Sequence, residues 1–261
     1  MLRRSLRGFA AALSAFASAL SSSVACADDL PEVDTALILA VDISDSVDAD
    51  RYKLQMEGIA RALEDPSVIS TITSGPRGGI GLTLVEWTDT AAMTVPWRII
   101  RSEVDAKAMA ATVRGLVQRK GEYTCVSRML AHVRERITSE LPLNATRVVL
   151  DVSGDGIDNC REPDATTFER DALVATGVQI NGLPIIVAGE NEIVGAGAYR
   201  APGFGLGALA IGPGTHQTTL DQWYTDYVVG GPAGFLIRAN GFEDFERAFK
   251  QKFVSEISLA Q

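Results

Sequence analysis

The sequence predicts an α/β fold in which a doubly wound, mostly parallel β-sheet carries helices on both faces. The run 35–41, Thr-Ala-Leu-Ile-Leu-Ala-Val, is apolar almost throughout and lacks period-2 alternation, as expected of a strand buried on both faces. After a polar turn, Tyr52, Met56, Ile59 and Leu63 recur at the spacing of one helix face. Strand and helix patterns then alternate along the chain, which is typical of βαβ units and a parallel sheet.

The same patterns predict the remaining elements. Strands are expected at 79–87, 91–99, 147–152, 183–188 and 235–238. Helices are expected at 103–117, 126–137, 166–176, near 216–228 and at 242–257. The glycine-rich segment 189–214 is expected to be a mobile surface loop, because it does not follow the first strand, where a dinucleotide-binding glycine motif belongs. With no internal repeat and no Pro- or Ser-rich linker, a single domain over 35–258 is the expectation.

The N-terminus has the composition of a secretory signal peptide. Three arginines precede the segment 9–20, which is apolar or small throughout, and Ala-Cys-Ala at 25–27 matches a cleavage site. The apolar run is too short to span a bilayer, which needs ~20 residues. We therefore expect cleavage after Ala27, a short leader at 28–34 and a periplasmic or secreted protein, with the choice between general and twin-arginine export left open.

Charge and histidine content exclude several classes of function. Loss of residues 1–27 removes three of the 24 basic residues and no acid, which leaves 21 against 33 acidic residues and a net charge of −12. Such a balance opposes binding to nucleic acid or to an anionic membrane, and no partner of either kind is expected. The only histidines are His132 and His216, which leaves little room for a site built on two histidines. We expect His132, beside an apolar helix stripe, to serve packing or to lie at the surface.

Two cysteines, Cys125 and Cys160, remain after signal cleavage. An exported chain enters a compartment that permits disulfides, so the pair is a candidate bridge. Two buried free thiols are the alternative. The pair is too small for a zinc site, since no histidine lies nearby in the sequence.

The most informative motif is the pentapeptide 42–46, Asp-Ile-Ser-Asp-Ser, directly after the first buried strand. In an open parallel sheet, ligands bind beyond the carboxyl ends of the strands where the strand order reverses. Asp42, Ser44 and Ser46 would offer one carboxylate and two hydroxyls, which are hard oxygen ligands suited to Mg²⁺ or Mn²⁺. Ser and Asp also cap helices, so on the pentapeptide alone both interpretations stand.

Two residues elsewhere complete a known pattern. Thr124 lies in the loop before the helix at 126–137, and Asp155 follows the strand at 147–152. Together with Asp42, Ser44 and Ser46 they resemble the metal-ion-dependent adhesion site (MIDAS) of von Willebrand factor A-type domains. The resemblance covers roughly residues 35–258 and implies that family's Rossmann-like fold.

Later segments resemble a narrower group, the bacterial exported von Willebrand A-like proteins of unknown function. They are Val-Ser-Gly-Asp-Gly at 152–156, the stretch 223–232 and Phe-Glu-Asp-Phe at 242–245. Membership at this level implies a fold and a metal site, but no known partner.

The resemblance assigns roles to individual residues. Asp42, Ser44, Ser46, Thr124 and Asp155 would hold one Mg²⁺ or Mn²⁺, directly or through water. If Thr124 and Asp155 converge, their loops are neighbours, and a bridge between Cys125 and Cys160 would pin those loops together. Asp151 would either orient metal ligands or lie exposed at a frayed strand end. The acids near the same rim are expected to add charge without ligating; they are Asp158, Glu162 and Asp164.

The leading functional hypothesis is a non-enzymatic binding module. The cation would complete its coordination with an Asp or Glu side chain of a partner protein. The alternative is a metal-assisted hydrolase or a phosphoryl-transfer enzyme that uses Asp42 as nucleophile. Against the alternative, Ser44 stands where such phosphatases have a second acid, and the chain has neither a G-x-S-x-G elbow nor a P-loop lysine. A structural envelope protein whose site has lost its metal is a third hypothesis.

Overall fold

The computed structural model describes residues 30–161, 164–199 and 210–258. Its strands are β1 (Glu32–Asp42), β2 (Ile80–Trp87), β3 (Ala91–Ile100), β4 (Asn144–Gly154), β5 (Val178–Ile186), β6 (Ile193–Tyr199), β7 (Ala210–Thr219) and β8 (Ala239–Asn240). Its α-helices are α1 (Ala49–Glu64), α2 (Pro66–Thr73), α3 (Glu103–Arg114), α4 (Val126–His132), α5 (Asp164–Val174), α6 (Leu220–Tyr227) and α7 (Phe245–Ser258). A π-helical turn, Val133–Thr138, extends α4, and a 3₁₀ turn, Phe242–Asp244, precedes α7.

The main sheet has six strands in the order β3-β2-β1-β4-β5-β8. Every neighbouring pair is parallel except β2 and β3, which run antiparallel. Along the chain, β2 and β3 are added on one side of β1, and β4, β5 and β8 are then added on its other side. The predicted doubly wound α/β fold is therefore confirmed, and its switch point lies between β1 and β4.

Both faces of the sheet are covered by helices, which explains the uninterrupted apolar run in β1. Leu37, Leu39 and Val41 face a core built with α1, α3 and α7. Ile38 and Ala40 face a second core built with α4 and α6. With both faces buried, β1 has no solvent side to carry polar residues.

The region from 189 to 219 differs from the prediction of a surface loop. β6 and β7 form a two-stranded antiparallel sheet, in which Ile193 is paired with Thr219. Residues 200–209, the middle of the predicted loop, lie outside the described residues. The next helix begins at Leu220, because Thr219 caps it by accepting a hydrogen bond from the backbone N–H of Gln222. The hydrogen bonds between two strands join residues that are distant in the sequence, and the glycine-rich composition has no pattern that predicts them.

Smaller differences follow from local chemistry. α2 was not predicted, although its start carries a clear signal: the Asp65 side chain caps the helix and Pro66 occupies its first turn. β5 begins at Val178, five residues before the predicted strand. The predicted strand at 235–238 makes one parallel bridge, between Leu236 and Gly182, and regular pairing comes later in β8.

At the N-terminus, β1 begins at Glu32, so residues 32–34 of the predicted leader belong to the strand. The predicted signal peptide lies outside the described residues. Across residues 30–161, 164–199 and 210–258, no helix is long and apolar enough to cross a membrane.

Candidate metal centre

Asp42 is the last residue of β1 and is fully buried. One carboxylate oxygen, Oδ1, accepts a hydrogen bond of 2.8 Å from the backbone N–H of Ser44, which holds the turn after the strand. Nε2 of Gln55, on α1, donates to the Asp42 carbonyl oxygen at 3.2 Å. The other carboxylate oxygen, Oδ2, is buried without a hydrogen-bond partner in the described structure. One carboxylate oxygen of Asp42 is thus hydrogen-bonded within the fold, and the second has no partner in the described structure.

The other four predicted site residues meet Asp42 at the carboxyl ends of β1 and β4. Hydroxyl oxygens of Ser44 and Ser46 lie 3.2 Å apart, and Ser46 Oγ donates to Asp155 Oδ1 at 2.7 Å. Thr124 Oγ1 donates to Ser44 Oγ at 3.3 Å. A chain of contacts therefore joins all five residues, although they come from three separate segments of the sequence.

Several backbone contacts fix the loop that carries Thr124. The carboxylate of Asp89, after β2, accepts from the N–H groups of Glu122 and Tyr123 at 2.8 and 2.9 Å. Thr124 and Asn159 are joined twice, by a bond from Thr124 N–H to Asn159 Oδ1 and one from Asn159 N–H to the Thr124 carbonyl oxygen, both 3.0 Å. Sequence analysis missed Asp89 and Asn159, because neither is part of the family motif.

The disulfide between Cys125 and Cys160 is formed, with Cα atoms 5.4 Å apart. It closes a loop of 35 residues and joins the Thr124 loop to the loop that follows Asp155. Cross-linking a loop of this size stabilises the folded state by ~3–4 kcal/mol in the chain-entropy model. The bridge therefore adds a covalent tie to the hydrogen bonds through Asn159.

Asp158 was expected only to add charge near the rim, and it has a more definite structural role. Its Oδ2 accepts from the N–H of Ser127 at 2.6 Å and from Oγ1 of Thr166 at 3.1 Å. Because Cys125, at the N-cap of α4, makes no side-chain capping bond, Asp158 caps that helix from a neighbouring loop. Asp164 is the first residue of α5, and Glu162 lies outside the described residues.

A cation of the chain itself borders the site. Nη1 of Arg51, on α1, donates to the carbonyl oxygen of Ser46 at 3.0 Å and lies 3.7 Å from Asp155 Oδ2. Nη2 is paired with both carboxylate oxygens of Glu190 at 2.7 and 2.8 Å. The guanidinium also stacks over the Phe242 ring, 5.1 Å from its centroid. Arg51 thereby ties the β1 loop to the ends of β4 and β5, a role that the sequence pattern did not indicate.

Burial dominates the electrostatics of the two carboxylates. It raises the pKa of Asp42 well above its usual range, and the charge of Asp155 raises it further. Burial also raises the pKa of Asp155, although the Ser46 hydrogen bond and Arg51 oppose that change. In both cases the charged carboxylate lacks enough compensation from the chain, so a bound cation would stabilise the ionised forms.

Asp151 lies inside β4 rather than at an exposed strand end. Its side chain is buried, and its Oδ1 lies 2.5 Å from Nζ of Lys252 on α7. Lys252 also contacts Glu256, one turn further along the same helix. The structure therefore places Asp151 in a buried ionic cluster between the sheet and α7.

The histidines lie in separate elements, His132 at the end of α4 and His216 in β7. His132 is partly buried, and that burial lowers its pKa. Among the described residues, no group of three or more His, Cys, Asp or Glu side chains is arranged to hold a metal ion. The set around Asp42 is of another kind, with two carboxylates and three hydroxyls.

Next to these residues the surface opens into a cleft of about 210 Å³. Its lining includes Ser44, Asp45, Gln118, Lys120 and Gly121. Ser46 and Lys120 are exposed. The five-residue set is thus buried at its base and open to solvent at the Ser46 end.

Solved structures share this fold. Proximal thread matrix protein 1 from the mussel byssus, described with a zinc-occupied MIDAS motif, is 15% identical with a TM-score of 0.57, over 89% of this chain and 49% of its own. A von Willebrand factor type A protein from Catenulispora acidiphila is 14% identical with a TM-score of 0.53, over 88% and 43%. BatB from Bacteroides thetaiotaomicron is 16% identical with a TM-score of 0.53, over 86% and 99%. The chain spans about half the length of the mussel protein.

These likenesses establish a von Willebrand A-type, Rossmann-like fold. No curated protein matches the chain in sequence. A family model does match, over residues 32–261, which is nearly the whole chain. The chain belongs to the family described as "protein of unknown function (DUF1194)".

Proposed function

We propose that the protein is an exported, adhesion-type binding module that uses a divalent cation to hold an acidic group of a partner. The observation that carries the proposal is the buried Oδ2 of Asp42, which has no hydrogen-bond partner in the described structure. At the same strand ends lie a second carboxylate and three hydroxyls, which are joined to one another by hydrogen bonds. A buried, unpartnered oxygen in such a setting is explained by a bound ion or water.

The residues fit a divalent cation. All five donors are oxygens, and two of them are carboxylates, which suits Mg²⁺ or Mn²⁺ better than a soft metal. The mussel protein of the same fold is described with zinc at its MIDAS motif, which supports a divalent cation in this position. We propose Mg²⁺ or Mn²⁺, because neither sulfur nor imidazole belongs to the set.

Each residue has a distinct part in the proposed site. Asp42 and Asp155 supply negative charge, while Ser44, Ser46 and Thr124 contribute hydroxyl oxygens. The cation, when bound, offers a coordination position for an Asp or Glu carboxylate of a partner protein. The carboxylates of Asp42 and Asp155 need a nearby positive charge, because burial disfavours their ionised forms.

The surface beside the set contains charges of both signs. Lys120 lines the cleft that also contains Ser44 and is exposed there, and Asp45 and Asp48 line the same cleft. The attraction for a carboxylate therefore comes mainly from the bound cation, with Lys120 beside it. The proposed partner is therefore a protein that presents Asp or Glu at a protruding position.

The proposed location is the periplasm or the extracellular space. The disulfide between Cys125 and Cys160 supports it, because such bridges persist in oxidising compartments. The composition of residues 1–27 supports the same location.

The proposal predicts chelator-reversible capture of a partner. Immobilised protein, exposed to periplasmic extract in Mg²⁺, should retain a partner that chelator releases. Asp155→Ala should retain none of it, since that substitution removes one of the two proposed carboxylate ligands. Glu140→Ala, which removes an exposed acidic side chain from the loop before β4, is the control and should behave as wild type. Capture that is equal in Mg²⁺ and in chelator would contradict a metal-dependent binding function.

A further inference from the structure

A tyrosine hydroxyl lies beneath the candidate metal centre without a hydrogen-bond partner in the described structure. Tyr224, on α6, is fully buried. Its ring lies against β5, where a Cβ built on Gly182 would come within 3.1 Å of ring atom Cδ1. The hydroxyl reaches past β5 to Gly154, the last residue of β4. The side chain therefore crosses from one helix to the strand end that precedes Asp155.

Gly154 marks where this hydroxyl meets Asp42. A Cβ built there would lie 2.8 Å from the Tyr224 hydroxyl oxygen and 2.9 Å from Oδ2 of Asp42. Both oxygens thus lie close to the Gly154 backbone, and they are no farther apart than the sum of these distances. Glycine is needed at this position, because a Cβ would clash with both oxygens.

Both oxygens are buried, and neither has a partner in the described structure. Water that bridges two polar groups is nearly as favourable as a direct hydrogen bond, and one water can span two oxygens at such a separation. The phenol serves as the donor, since a tyrosine hydroxyl keeps its proton at neutral pH. One water between them would satisfy the Tyr224 hydroxyl and occupy one lone pair of Asp42 Oδ2, which leaves the other lone pair for the cation.

We infer that Tyr224 is a positioning residue of the metal centre, and that its hydroxyl holds Oδ2 of Asp42 through one bridging water in the orientation that binds the cation. This inference rests on the proposed function, because it concerns the same cation. It makes α6 part of the site, although no residue of α6 belongs to the five-residue set. The role goes beyond packing, which is what an aromatic residue on a buried helix face would otherwise indicate.

The test is Tyr224→Phe, which removes only the hydroxyl. Calorimetric titration with Mn²⁺ should show an affinity about two- to tenfold lower than that of wild type, as expected for the loss of one hydrogen bond. In chelator the variant should melt close to the temperature of wild type, because loss of the water-mediated hydrogen bond and removal of a buried polar group have opposite effects on stability. Tyr227→Phe is the matched control: it is on the same helix, stacks on Trp223 and should leave Mn²⁺ affinity unchanged.

Each outcome decides the matter. Wild-type Mn²⁺ affinity in Tyr224→Phe would overturn the inference and leave the proposed function intact. A variant that loses stability in chelator along with its affinity would show a structural role for the hydroxyl, which also overturns the inference. If wild type itself does not bind Mn²⁺, both the proposed function and the inference fail.

Discussion

Asp42→Ala should abolish Mn²⁺ binding while the fold survives. The substitution removes one of only two carboxylates in the proposed set, including the unpartnered Oδ2. A ligand that binds only the folded state stabilises it by ~2.7 kcal/mol at a hundredfold excess over its Kd. Wild type should therefore melt at a higher temperature in Mn²⁺ than in chelator, and Asp42→Ala should melt at the same temperature in both. Calorimetric titration with Mn²⁺ measures the affinity directly.

The comparison in chelator separates loss of the site from loss of the fold. Burial raises the pKa of Asp42, so its charged form is costly to the folded state without a cation. In chelator, Asp42→Ala should therefore be at least as stable as wild type, except for the small contribution of the hydrogen bond to Ser44, which the variant lacks. Asp45→Ala, in the same loop and exposed, should keep wild-type Mn²⁺ affinity. Equal Mn²⁺ binding by wild type and by the Asp42→Ala, Asp155→Ala double variant would refute the proposed metal centre.

Lys252→Met should destabilise the protein by about 3–5 kcal/mol, the usual cost of removing one partner from a buried ion pair. Lys252 is fully buried on α7, and its ammonium contacts the carboxylates of Asp151 and Glu256, which are also buried. Without the ammonium, two carboxylates would be left in the core, where the neutral side chain of Asn181 donates to Glu256 at 2.8 Å. Urea unfolding in chelator measures the loss.

A lysine on the same helix provides the control. Lys250 pairs with Asp65 at 2.5 Å, but its side chain is 41% exposed. Lys250→Met should therefore cost at most ~1 kcal/mol. Adding Asp151→Leu and Glu256→Gln to Lys252→Met removes the uncompensated charges and should recover most of the lost stability. Equal losses for Lys250→Met and Lys252→Met would contradict the buried ionic cluster.

The same cluster predicts a pH dependence. Burial, together with the charge of Glu256, raises the pKa of Asp151 to about 7 in the folded state, despite the opposing effect of Lys252. The pKa of Asp151 in the unfolded chain is near 3.8. Between this pH and about pH 7, the folded protein therefore binds one more proton than the unfolded chain. This contribution to stability is complete below about pH 4 and is lost as the pH rises through about 7.

Asp151→Asn should remove that dependence. Relative to wild type, its free energy of unfolding should rise between pH 4 and pH 7, by at most ~1.4 kcal/mol per pH unit. Urea unfolding in chelator at pH 4, 5.5 and 7.5 measures the difference and keeps the proposed metal site out of it. Parallel stability curves for the two proteins would contradict a raised pKa at Asp151.

The fold could be predicted because its main signals are local. The apolar run at the centre of β1 is set by burial on both faces, and the amphipathic face of α1 has the period of a helix. β6 and β7 could not be predicted in the same way. Their backbone hydrogen bonds join residues as far apart as Ile193 and Thr219, and a glycine-rich composition carries no period that marks such a pair.

The candidate site also has a part that local sequence predicts and a part that it does not. The sequence by itself determined its five residues, because a motif next to a buried strand and two residues at strand and loop ends match a family pattern. Only the tertiary structure decided what surrounds them: Arg51 beside Asp155, Tyr224 beneath Asp42, and Lys252 against Asp151. Periodicity shows which side of a helix is buried but not which atom it meets there. Those contacts depend on how separate elements pack, and packing across the sheet is not encoded in any single stretch of the chain.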